Sequence, residues 1–214
     1  MTKHIQIQLY SFRKIISVDT SLARAAYLKA KKQAIYQFRD HLLEQFFKID
    51  LQDQLIKTEH GKPYLIDYPK FAFNHSHSRN FYALTMSECI QDLGVDIEEL
   101  SRKVRFESLA QHAFHPQELQ HWHERDYDPE YWFKVWTTKE AVLKASGLGI
   151  RINLNELNTN LHPLNDGGMC EHPQIGVFTY QNYQLAGCML TVAWRFEQSC
   201  KGFARPSIQI INDI

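Results

Sequence analysis

The chain has no excess charge of either sign: among its 214 residues, 24 Lys and Arg balance 24 Asp and Glu. General nucleic-acid binders normally carry a basic excess, so the balance argues against that class and leaves room only for a local basic pocket for a small polyanion. No apolar run approaches the roughly 20 residues needed to span a membrane. The opening MTKHIQIQLYSFRKII alternates polar and apolar residues instead of building a signal-peptide core. A soluble, unexported protein with no membrane partner is expected. Cysteine is sparse as well: Cys89, Cys170, Cys188 and Cys200 are scattered, with no CxxC. That fits a reduced, cytoplasmic compartment, with the thiols as packing residues rather than metal ligands. Low-complexity segments are also missing.

What is present reads as mixed structure. Ile5, Ile7 and Leu9 alternate with polar residues, the period of a half-buried strand. Residues 20–47 are rich in Ala, Lys, Leu and Gln without Gly or Pro, which suits helix. Segment 53–98 breaks into short strands separated by Asp-Tyr-Pro, Ser-Arg-Asn and Gln-Asp turn signals. Residues 103–146 return to helix, with Pro116 and Pro129 placed for first turns and Gly147 as a stop. A loop at 158–174 and strands at 175–180 and 184–196 follow, and the tail after Arg205 carries no clear signal. The order predicts an α+β chain of two similar halves, 1–103 and 104–214, although no repeat links them in sequence.

Asp96 and Glu98 stand two apart in Gly94-Val95-Asp96-Ile97-Glu98. On a strand they share one face while Val95 and Ile97 point to the core. Two carboxylates at about 4 Å repel by ~4 kcal/mol at an effective dielectric near 20, so holding them together calls for a cation between them. Hard oxygen ligands suit Mg²⁺, which keeps water and phosphate in its other positions. Spacing alone fits equally an acidic strand end running into solvent. The stretch Tyr131–Lys144 has apolar residues at helical spacing, with Glu140 and Lys144 one turn apart beneath Trp136. That pair is either a surface ion pair or a carboxylate ligand beside a phosphate-neutralising lysine.

Asn74-His75-Ser76-His77-Ser78 closes a strand with a dense set of donors able to hold phosphate oxygens. It is equally a polar turn, or, with His75 and His77 facing the same way, part of a zinc site. Gly61-Lys62-Pro63 is a tight turn presenting one cation. His112, His115, His121 and His123 read as solvated helix residues without a role.

Taken in order, these segments resemble the Sfp-type 4'-phosphopantetheinyl transferases. That family carries a Gly-Lys-Pro turn, then Asn-x-Ser-His-Ser, Gly-[Val/Ile]-Asp-[Val/Ile]-Glu and Trp-[Ser/Thr]-x-Lys-Glu-[Ala/Ser]-x-x-Lys-x-x-Gly-x-Gly. Here they read Gly61-Lys62-Pro63, Asn74-His75-Ser76-His77-Ser78, Gly94–Glu98 and Trp136–Gly149, and Phe114–Glu118 is similar to a further Phe-x-x-x-Glu segment. His75 stands where the family usually has an aliphatic residue. The resemblance implies two pseudo-symmetric α+β lobes with coenzyme A between them. It implies Asp96, Glu98 and Glu140 as Mg²⁺ ligands and Glu140 and Lys144 as the catalytic pair. It places Lys62, Ser76, His77, Lys139 and Lys144 as coenzyme contacts, with Lys31, Lys32 and Arg39 as candidates for its 3'-phosphate.

The implied reaction moves the 4'-phosphopantetheine arm of coenzyme A onto a serine of an acyl or peptidyl carrier protein. The expected enzyme is a cytoplasmic monomer. Leu109, Phe114 and Trp122, with Arg102, Lys103 and Arg105 beside them, are candidates for the carrier-facing surface. Two rival readings stay open: a zinc metallohydrolase using His75, His77, Asp96 and Glu98, and an inactive carrier-protein-binding module.

Overall fold

A computed structural model describes residues 3–15, 21–149, 151–196 and 205–214. The first part runs β1 (His4–Ser11), α1 (Phe12–Ile15), α2 (Arg24–Phe47), β2 (Leu55–Lys57), β3 (Pro63–Leu65), β4 (Ala72–His77), β5 (Phe81–Ser87) and β6 (Gly94–Glu99). The second runs α3 (Phe106–Ala113), α4 (Pro116–His123), α5 (Pro129–Ser146), β7 (Gly167–His172), β8 (Gly176–Leu185), β9 (Cys188–Arg195) and β10 (Ser207–Asp213). The fold is α+β.

Strand alternation stacks these elements in layers. Two four-stranded sheets, ordered β10-β1-β5-β4 and β6-β9-β8-β7, carry the fold, and β2 and β3 form a separate hairpin. Ile5, Ile7 and Leu9 of β1, Ala83 of β5, Val95 and Ile97 of β6, and Leu190 and Val192 of β9 share one apolar cluster between the sheets. The opposite face of the first sheet, with Tyr82, Leu84 and Met86, packs on Ile35, Leu42, Leu43 and Phe47 of α2. The opposite face of the second, with Met189 and Ala193, packs on Ala141, Val142 and Ala145 of α5. The outcome is four layers: α2, sheet, sheet, α5. Odd positions of β6 therefore face the other sheet, and even ones face α5.

The helix ends follow local chemistry. Asp128 caps α5 by accepting from the backbone N–H groups of Glu130 and Tyr131 at 3.0 and 3.3 Å, Pro129 opens it, and Gly147 ends it at φ 76°. His115, expected to be a solvated helix residue, is instead the N-cap of α4. Its ring Nδ1 accepts from Gln117 N at 3.3 Å, while its own N–H donates to Glu118.

Two expectations for the C-terminal part change. The loop expected at 158–174 contains β7, because Gly167 and Gly168 are close-approach residues and not turn residues. A Cβ on Gly168 would lie 2.5 Å from the Tyr180 hydroxyl of the paired strand. The tail without a signal is β10, running parallel to β1 with Ile208 opposite Ile5 and Ile210 opposite Ile7. Of the cysteines, Cys170 and Cys188 are buried and free, Cys89 is exposed, and Cys200 lies outside the described residues. Among the described residues no helix is long and apolar enough to cross a membrane.

Candidate active site

The edge strands of the two sheets meet at one seam. On β4, Asn74 and Ser76 face β6: Asn74 Oδ1 accepts from Val95 N at 3.0 Å, and Ser76 Oγ donates to Asp96 Oδ1 at 2.8 Å. Gly94 lets α5 press onto the same strand. A Cβ there would fall 2.2 Å from the Ala141 carbonyl oxygen and 2.5 Å from the Ala145 nitrogen. That contact brings Lys144 over the seam, its Nζ 2.6 Å from Asp96 Oδ1 and donating to Ser76 Oγ at 2.8 Å. Residues from three separate motifs thus converge on one carboxylate oxygen, while the other, Asp96 Oδ2, is buried without a partner.

Glu98 and Glu140 share this electrostatic neighbourhood. Burial pushes the Glu98 carboxyl up and the Asp96 charge adds to the shift, while Arg102 and Lys144 pull it back. The Glu140 carboxyl is pushed up by burial, then by Asp96 and Glu98, and pulled down by Lys144. Both glutamates therefore sense the Asp96 charge, and Glu140 senses Glu98 as well. As the side chains stand, no group of three or more His, Cys, Asp or Glu among the described residues is arranged to hold a metal ion. Asp96 is engaged by Lys144 and Glu98 by Arg102.

Three clefts open around the seam. The first, about 520 Å³, is lined by Lys31, Lys32, Tyr36, Ser76, His77 and Lys144. A second of about 250 Å³ takes in Lys62, His75, Glu140 and Lys144. The third, about 580 Å³, takes in His77, Arg79, Glu98, Arg102 and Lys103. The first is basic: burial and then Lys31 push the His77 imidazole down. Burial, with Arg39 and His77 adding, takes His75 down to about 3, which keeps it neutral.

The structure separates several residues that the sequence grouped. His75 and His77 lie on the α2 side of β4, packing edge-on to Tyr36 and Phe12, whereas Asp96 meets the other side. Both histidines expected for a zinc hydrolase are therefore separated from Asp96 by β4, although His77 and Glu98 share the third cleft. Lys139, expected as a coenzyme contact, is buried and lines none of these three clefts. It points into the C-terminal core, where Nζ is 2.8 Å from Glu118 Oε2 and donates to the Leu154 carbonyl at 2.9 Å and to that of Leu157. Lys62 lines the second cleft, but its ammonium donates to the Ala145 carbonyl at 2.5 Å, near the C-terminal end of α5.

Arg39 is buried, paired with Asp40 and set over the Tyr36 and Phe73 rings, whereas Lys31 and Lys32 do reach the first cleft. Phe114 and Trp122 are core residues and cannot form a carrier-facing surface. Sequence reading missed Glu118 as the counter-charge of Lys139. It also missed Glu99, which accepts from Ser78 Oγ and Asn80 N and so anchors the turn after His77. A signal for the first was available: at about 100° per residue, Lys139 lies about 140° around α5 from Lys144.

Comparison with known proteins points the same way as the motifs. The model of the 4'-phosphopantetheinyl transferase superfamily matches residues 92–188. The chain is 38% identical over 110 residues to the 4'-phosphopantetheinyl transferase HetI of Nostoc sp., covering 48% of this chain and 45% of that protein. It is 28% identical over 124 residues to the 4'-phosphopantetheinyl transferase psf-1 of Bacillus pumilus, covering 56% and 52%. It is 27% identical over 158 residues to the 4'-phosphopantetheinyl transferase Sfp of Bacillus subtilis, covering 69% and 68%. For the first relatives the matched stretch spans about half of their own length. The segment that matches the model of the 4'-phosphopantetheinyl transferase superfamily, 92–188, is the one that carries Asp96, Glu98, Glu140 and Lys144.

Proposed function

We propose that the protein transfers the 4'-phosphopantetheine arm of coenzyme A to a serine hydroxyl of an acyl or peptidyl carrier protein. The observation that carries this reading is the convergence of Lys144, Ser76 and Asp96 at one point beside the basic cleft of Lys31 and Lys32. The two sheets are read as the cores of two lobes with the coenzyme at their seam, in a monomeric cytoplasmic enzyme. Its phosphates would lie along Ser76, His77 and Lys144, with Lys31 and Lys32 toward the 3'-phosphate.

The donor set fits a hard divalent cation. Three carboxylates crowd a region with the buried, unpartnered Asp96 Oδ2, and oxygen donors of this kind suit Mg²⁺. Asp96, Glu98 and Glu140 would hold it. When bound, Mg²⁺ supplies charge that offsets the pyrophosphate.

The chain's own groups do the rest. The carrier serine oxygen forms a bond to the phosphorus bearing the pantetheine arm. The pyrophosphate P–O bond breaks, and adenosine 3',5'-bisphosphate departs with the electron pair. Glu140 is assigned the serine proton, since its carboxylate lines the second cleft beside Lys144. Lys144 faces the charge that builds on the transferring group. Intact-mass measurement of apo carrier proteins incubated with the protein, coenzyme A and Mg²⁺ tests the proposal. One added phosphopantetheine on a serine is expected, and no mass gain on any acyl or peptidyl carrier would refute it.

A further inference from the structure

Glu98 already has a cation. The Arg102 guanidinium donates to its Oε1, four residues along the chain. Glu98 belongs to β6 and its side chain is 15% exposed, whereas Arg102 lies past the strand end with a side chain 46% exposed. Both line the third cleft with Arg79 and Lys103, so the guanidinium has open space to swing into. The carboxylate has none of that freedom. We infer that Arg102 is a built-in counter-ion, which holds Glu98 while no divalent cation is bound and leaves it when one is. The inference rests on the cation site proposed above.

Physically, a buried carboxylate near two others needs a compensating charge at all times. Lys144 supplies it for Asp96 from a packed helix, in contact with Ser76 as well. Arg102 supplies it for Glu98 from an irregular segment, which makes this half of the compensation removable. Occupancy of Glu98 by Arg102 and by a divalent cation is then competitive. The cation binds more weakly than the carboxylates alone would allow, and the freed guanidinium joins Arg79 and Lys103 in the cleft.

Titration of Mn²⁺ into the full chain, followed through the resonance signal of free Mn²⁺, tests this without any turnover. Arg102→Ala is expected to tighten Mn²⁺ binding about fivefold, the loss of one partly exposed competing pair. Lys103→Ala removes the same charge next door without touching Glu98 and is expected to change affinity by no more than about twofold, because solvent screens it. Equal affinity in the wild type and Arg102→Ala would overturn the counter-ion role alone, as would an equal gain in Lys103→Ala. Absence of Mn²⁺ binding in all three proteins, with coenzyme A present or not, would overturn the cation site itself and this inference with it.

Discussion

Removing Glu118 gives the sharpest test of how the C-terminal core is held. Its carboxylate is 2% exposed and faces Lys139, 1% exposed, at 2.8 Å. Its other contacts are Thr159 N at 2.9 Å, Thr159 Oγ1 at 2.6 Å and His115 N at 2.8 Å. In Glu118→Ala the ammonium stays buried with only carbonyls around it, which costs about 3–5 kcal/mol. The α4 cap loses its return bond, for about 1 kcal/mol more. A total near 4–6 kcal/mol is a large share of any domain's stability and corresponds to a melting temperature lower by roughly 10–20 °C at this size.

The deficit should depend on pH. Burial already pushes the Lys139 ammonium down and Glu118 pulls it up. Without Glu118 the folded state favours the neutral amine, while the unfolded chain keeps its proton. The unfolded state then binds more protons, so stability rises with pH and the deficit shrinks as the pH climbs toward the ordinary lysine value of 10.5. Urea denaturation of Glu118→Ala across that range measures it.

The double variant Glu118→Leu/Lys139→Met should recover part of the loss. Its charges are gone, but Thr159 N–H and the Leu154 and Leu157 carbonyls stay unpaired. It should also bind coenzyme A as the wild type does. A loss under about 1 kcal/mol in Glu118→Ala would refute the buried pair, and a folded double variant that fails to bind the coenzyme would return Lys139 to the ligand site.

Asp96→Ala should lower turnover by roughly a thousandfold, about 4 kcal/mol of transition-state stabilisation; near-normal transfer at limiting Mg²⁺ would remove its assigned role. Gly94→Ala should destabilise by about 1–3 kcal/mol and lower turnover by about a hundredfold, because the new methyl pushes the α5 backbone, and Lys144 with it, off β6; thermal melts and rates read both. Lys62→Met should flatten the stability profile between about pH 8 and 10.5. Burial takes Lys62 from 10.5 to about 8, with Asp92 pulling up and Arg195 pushing down, so the unfolded chain holds the extra proton there and wild-type stability climbs with pH. Denaturation midpoints at pH 8 and above check the slope. Charge reversal at Lys103 should raise the KM for an acidic carrier and leave coenzyme affinity alone, as steady-state kinetics with each substrate varied would show.

Much of the candidate site is legible in the sequence. Period-two alternation put Asp96 and Glu98 on one face of β6, and helical spacing put Glu140 and Lys144 in one column of α5, because both rules are local backbone geometry. Pro129 and Gly147 bound α5 through local backbone chemistry at its two ends. By contrast, β7 was hidden in the expected loop at 158–174, because the Tyr180 side chain that Gly168 must admit is on another strand.

The chain's residue order by itself fixed which groups are available and which neighbours share a face. Only tertiary packing decided where those faces go. It sent Lys139 to Glu118 and Lys144 to Asp96 from the same helix, and gave the Lys62 ammonium to the Ala145 carbonyl of α5. It added a parallel strand from the chain's end to β1. The reason is that a buried charge takes whatever counter-charge packing brings within reach, and that partner is set by contacts far apart in sequence.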